Sequence, residues 1–212
     1  DDSQNQTISE NCYTTALIIA VGHKNGYDQI NKIRSQYDRT FDRWMPHISL
    51  LYPFVGQETL NKHLCQLQTA LQSIEPFTIR LSSFNFFNHG RRVVVYLEIE
   101  SEPLEMLYTA LTNVFVCKKK RRKFVPHLTI GQYDKEHVET LIDQLSASWE
   151  PIELSVDDIF YITRSEREAS LPFGFREAIP LGKNTKTSWE RYGFEKTTLE
   201  QDEIIHQAST KA

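Results

Sequence analysis

The chain has 212 residues, 40% hydrophobic and 25% charged, which is the make-up of a soluble globular protein large enough to bury a core. A net charge of −4 gives no general attraction for polyanions, so any affinity for nucleic acid has to come from a local patch. Three scattered cysteines (Cys12, Cys65, Cys117) without a CxxC pair argue against a disulfide framework or zinc site and point to a reducing, intracellular compartment. No stretch approaches the roughly 18 apolar residues of a membrane span.

In chain order, residues 1–12 read as a polar, disordered tail. "YTTALIIAVG" (13–22) is a buried strand, and Tyr27, Ile30, Ile33, Arg34 and Tyr37 follow at helical spacing. A strand over 46–54 comes next. Leu60, Leu64, Leu67 and Leu71 then mark a second helix, and "FTIRLSSFNFF" alternates as a third strand. The second half repeats this order. "RVVVYLEIE" (92–100) is a strand, Pro103 opens a helix, 126–132 is a strand and Glu136 to Leu145 a helix. "IELSVDDIFYITR" (152–164) closes the repeat as one strand, "FREAIPLG" (175–182) is an edge strand, and 183–212 is a polar extension whose "WERYGF" docks back. The expected domain is 13–182, with one lobe near 13–88 and a second near 91–182.

Each half carries Pro-His-apolar-hydroxyl-apolar on its second strand, in "WMPHISLLYPF" (44–54) and "FVPHLTIGQYD" (124–134). Alternate strand residues share a face, so His47 pairs with Ser49 and His127 with Thr129, while Ile48, Leu50, Leu128 and Ile130 point to the core. Two imidazoles suit a reaction that needs one proton taken and another given near neutral pH, as cleavage of a P–O bond does. The two hydroxyls would bind the non-bridging phosphate oxygens. Neither strand carries a zinc-hydrolase pattern, so no metal and no cofactor is expected.

These residues resemble the 2H phosphoesterase superfamily, the 2′–5′ RNA ligase and cyclic phosphodiesterase family, whose signature is a pair of H-x-[ST]-apolar motifs. "HISL" (47–50) and "HLTI" (127–130) match it. The resemblance covers about 13–182, and the flanking residues look most like the eukaryotic branch with the leukocyte receptor cluster member and kinase-anchoring protein domains. It implies an α+β fold of two antiparallel sheets facing a cleft, and action on 2′,3′-cyclic phosphates or 2′–5′ bonds. The implied partner is an RNA 3′ end or a small cyclic or 2′–5′ nucleotide, bound by a monomer with no membrane attachment. A silent module that only binds such ends is the alternative from another class.

"KKKRRK" (118–123) reads either as a solvated loop or localisation signal, or as a basic lip in which Arg122 and Lys123 reach phosphates beside the scissile one. Arg91 is a weaker version of the same idea. Phe84, Phe86 and Phe87 all read as core, and Phe87 is kept as a candidate contact because the resemblance implies a base stacked on an aromatic near this place. Tyr133 is a further candidate contact. Tyr52, five positions from His47, is expected to face away from the site in an unbroken strand.

Overall fold

The computed structural model describes residues 12–23, 26–99, 101–115, 123–165, 170–183 and 189–197. Its elements run β1 (Thr15–Ala20), α1 (Tyr27–Tyr37), β2 (His47–Leu51), α2 (Gln57–Leu71) and β3 (Phe77–His89), then β4 (Arg92–Ile99), α3 (Glu102–Val114), β5 (His127–Asp134), α4 (Val138–Ser148) and β6 (Ile152–Val156). β7 (Asp158–Thr163), β8 (Gly174–Pro180) and the short α5 (Trp189–Tyr192) follow. The β-α-β-α-β order therefore occurs twice. Local chemistry sets the elements in familiar ways. Leu60, Leu67 and Leu71 bury one stripe of α2. At the start of α3 the Ser101 hydroxyl accepts from the Leu104 N–H, with Pro103 in the first turn and Glu102 and Glu105 facing the helix N-terminus.

All eight strands form one antiparallel sheet in the order β6-β3-β4-β5-β2-β1-β7-β8. The class is α+β, as expected, but the two sheets are joined through β2 and β5. That seam is narrow, with Ile48 opposite Leu128 as its one registered pair. The strand order also interleaves the sequence halves. β3 lies beyond β4 in the half of the sheet built from 77–156, whereas β7 and β8 return to flank β1. A boundary near residue 90 thus cuts across the sheet rather than between lobes. The run 152–164 is two strands, because the chain breaks at Asp157 and β6 and β7 go to opposite ends of the sheet. The Asp157–Asp158 pair, which interrupts the alternation after Val156, marks that break.

Alternation along β1 divides the core. Leu17, Ile19 and Val21 enter the main cluster under the helices, while Ala16, Ile18 and Ala20 meet Phe160, Phe173, Phe175, Tyr192 and Phe194 on the other face. The "WERYGF" segment does dock, through buried Tyr192 and Phe194. On β5, Gly131 lets the end of α1 lie directly on the strand. A Cβ there would stand 2.5 to 2.6 Å from the backbone and Cβ of Tyr37. Gly131→Ala should therefore lower stability by about 1–3 kcal/mol through overpacking. An unchanged denaturation midpoint would mean the helix end moves aside freely.

Candidate active site

Both motif histidines are held by the backbone just before their strands. The Nδ1–H of His47 donates to the Met45 carbonyl at 2.7 Å, and that of His127 to the Val125 carbonyl at 2.8 Å. A carbonyl can only accept, so in each neutral ring the proton sits on Nδ1 and Nε2 is left with its lone pair. The Nε2 of His47 lies 3.1 Å from the Ser49 hydroxyl, which donates to it. In the antiparallel register about Ile48 and Leu128, His47 stands across from Thr129 and Ser49 across from His127. Ser49 is held on Nε2 of His47, and Thr129 lines the cavity with both histidines.

The two histidines open on one cavity of about 310 Å³, also lined by Arg34, Asp38, Thr40, Trp44, Tyr52, Phe87, Val94, Thr129 and Gln132. Trp44 stacks on the His47 ring with centroids 4.6 Å apart and planes at 17°, and its other side meets Phe173 at 3.9 Å. Phe87 and Tyr96 meet His127 edge-on at 5.0 and 5.4 Å. Burial pushes the His47 pKa down to about 4, against the pull of the Met45 carbonyl and with the Arg34 guanidinium adding to the depression. His47 is therefore neutral near pH 7.

Beneath the cavity lies a buried polar network. The Arg34 and Asp38 side chains are 2% and 1% exposed and meet at 2.7 Å. Arg34 also donates to the Trp44 carbonyl and the Asn31 side chain. The second Asp38 oxygen accepts from the backbone and hydroxyl of Thr40 and from Gln132. One ion pair thus anchors three stretches of the cavity wall.

Two positions correct the sequence reading, for a shared reason. Ile18 pairs with Ser49 but Leu17 with Leu51, so Leu50 is an extra residue; likewise Tyr96 pairs with Thr129 and Val95 with Gly131, leaving out Ile130. Each motif strand bulges three residues after its histidine, which reverses the alternation beyond that point. Tyr52 and Gln132, both five positions on, consequently turn into the cavity rather than away from it. Tyr133 is turned out of it, to pack edge-on against Tyr37 at 5.6 Å.

Of the other expected contacts, Phe87 reaches the cavity, while Arg91 and Lys123 are exposed and not among its lining residues. Arg122 and the rest of 118–122 lie outside the described residues. Phe84 is buried against Trp149, and Phe86 packs on the core. Among the described residues no cluster of His, Cys, Asp and Glu could hold a metal ion, and no helix is long and apolar enough to cross a membrane. Sequence reading passed over Arg34, Asp38, Thr40, Trp44 and Gln132 as site residues. A usable signal existed, since Arg34 falls on the apolar stripe of α1 with Asp38 four residues on.

The model of the 2′-5′ RNA ligase superfamily matches residues 23–168, and the chain belongs to that superfamily. A Bacillus cereus (strain AH820) protein, provisionally named a phosphoesterase, is 35% identical over 118 residues, 54% of this chain and 68% of its own length. A similarly named Bacillus cytotoxicus protein is 29% identical over 163 residues, 75% of this chain and 92% of its own. LigT of E. coli superposes with a TM-score of 0.58 at 17% identity, over 82% of this chain and all of LigT, a likeness of fold. LigT has also been solved with phosphate and with 3′-AMP.

Proposed function

We propose that the chain is a phosphoric diester hydrolase acting on RNA-type 2′,3′-cyclic phosphate ends or 2′–5′ phosphodiester bonds. The observation that carries this reading is the matched pair of imidazoles, each fixed through Nδ1 and each offering Nε2 to one cavity. Neutral His47 is the base. Its Nε2 takes a proton from water as the water oxygen bonds to phosphorus. The P–O bond to the leaving ribose oxygen breaks, and His127, acting in its doubly protonated form, gives that oxygen the proton from Nε2. Ser49 and Thr129 donate to the non-bridging oxygens, the Ser49 proton turning from His47 to the phosphate as substrate enters. By resemblance, opening a cyclic phosphate leaves a 2′-phosphate. The relatives' phosphoesterase names and the ligands of LigT support the class of substrate.

The reading carries with it a monomeric intracellular protein with no resident metal or cofactor. The eukaryotic branch rests on the residues flanking the motifs alone, since the relatives above are bacterial. A panel of nucleoside 2′,3′-cyclic phosphates, 2′–5′ oligoadenylates and 3′-end RNAs, with products identified and EDTA present, tests the proposal. Product from at least one substrate is expected. Tight binding without product from any would instead favour a module that holds an RNA end. The bond that occupies Nε2 of His47 is the observation on that side.

The run 118–123 separates polymer from small substrates. Neutralising Lys118, Lys119, Lys120, Arg121, Arg122 and Lys123 should raise KM for oligonucleotides and flatten its salt dependence, because each phosphate contact releases counterions. Cyclic mononucleotides should respond little. An equal response from both would remove the preference for an RNA end.

A further inference from the structure

The sheet faces beside the two histidines are built alike and finished differently. On one side Ala20 and Ile18 stand opposite His47 and Ser49, and Phe160 stands opposite Ile18. That face is sealed by Phe173, Phe175, Tyr192 and Phe194. On the other side Glu98 and Tyr96 stand opposite His127 and Thr129, and Asn85 stands opposite Tyr96. Glu98 thus takes the place of Ala20, Tyr96 of Ile18, and Asn85 of Phe160. Ser83 and Asn85 are exposed and Glu98 is half-buried, whereas Tyr96 is buried against Phe87, so this face is open at Ser83, Asn85 and Glu98.

Its polar groups are ordered. The Ser83 hydroxyl donates to one Glu98 oxygen at 2.9 Å and the Asn85 amide donates to the other at 2.7 Å. Asn85 is fixed in turn, its own oxygen accepting the Phe86 N–H at 2.7 Å. Among the described residues no cation pairs with Glu98. A carboxylate has about four acceptor positions, so both Glu98 oxygens keep room to accept, side by side. Phe87, which lines the cavity, lies at 4.5 Å from Tyr96 and provides an apolar border.

We propose that this open face is a nucleobase subsite in which Glu98, oriented by Ser83 and Asn85, selects guanine. The proposal rests on the phosphodiesterase reading for where the phosphate sits. With the phosphate on the β2–β5 seam, the rest of a nucleotide can extend, among the described residues, across β4 towards the exposed side chains of β3. Two parallel acceptors match the adjacent N1–H and N2–H donors of guanine. Adenine and cytosine set a ring acceptor beside their amino group, and uracil flanks its N3–H with two carbonyls. Each of these places an acceptor against one carboxylate oxygen.

Calorimetric binding of the four 3′-mononucleotides, with inosine 3′-monophosphate as a fifth, tests the subsite without turnover. Guanosine 3′-monophosphate should bind about tenfold tighter than the others, as a bidentate pair discriminates. Inosine, which lacks the N2 amino group, should lose most of that advantage in the unaltered protein. In Glu98→Ala and Glu98→Gln the preference should fall below about twofold. Equal affinities, no binding at all, or a preference that survives Glu98→Ala would overturn the subsite. Cyclic phosphates of the same bases keep the two readings apart. Turnover without base preference sinks the subsite alone, and a Glu98-dependent preference without product sinks the hydrolase alone.

Discussion

Alanine at either His47 or His127 should lower turnover by about 10²–10⁴, the usual worth of one positioned acid or base. The fold should survive in both, because each ring borders the cavity rather than the main cluster. Far-ultraviolet dichroism and an unfolding midpoint check the second point, and full activity in both single variants would end the paired-histidine mechanism. The pH dependence sharpens the test. With its pKa pushed down to about 4, His47 stays a competent base well below the ordinary histidine range. The acid limb of kcat/KM should therefore lie nearer pH 4 than 6.5. Stability moves with the same proton. Between pH 6.5 and 4 the unfolded chain takes up a proton that folded His47 refuses, so stability is full above 6.5 and falls as pH drops through this window. The loss is at most about 3 kcal/mol and should shrink in His47→Asn.

The largest loss of stability should come from Asp38→Ala. It leaves the Arg34 guanidinium charged, buried and without its carboxylate, a situation that costs about 3–5 kcal/mol. Thermal denaturation reads the effect. The double variant Arg34→Met with Asp38→Leu should recover much of the stability, because well-packed apolar groups can replace a buried pair. Activity should stay low in the double variant, since Thr40 and Gln132 lose the carboxylate that anchors them. A cost below about 1 kcal/mol for Asp38→Ala would show that water reaches the pair.

The repeated element order and the paired motifs were readable because they are local. Period-2 and helical spacing, Pro103 and the leucine stripe of α2 each declare themselves within a few residues. What was not readable depends on partners distant in the chain. Nothing in "HISLL" or "HLTIG" marks the extra residue at Leu50 or Ile130, since a bulge is defined by the strand opposite. The roles of Tyr52 and Tyr133 shifted, and Gln132 was passed over, for that reason alone. The placement of Trp44 over His47 and the Arg34–Asp38 pair under the cavity likewise depend on where α1 and the loop after it come to rest. Asp157 breaks one apolar run into two strands whose destinations only the assembled sheet decides.

The interleaved strand order has a consequence for how the protein can be made or cut. Thr15 near one end of the chain is paired with Thr163, and β8 in turn seals β7. While the chain emerges from the ribosome, β1 has an unpaired edge until β7 arrives. The wall beside His47 is meanwhile missing Phe173 and Phe175. Contacts of such sequence separation form slowly. A chain severed in the exposed turn at Gly90 would yield two pieces, each holding strands that belong beside the other's. Neither could close the cleft by itself, and activity would return only on mixing them.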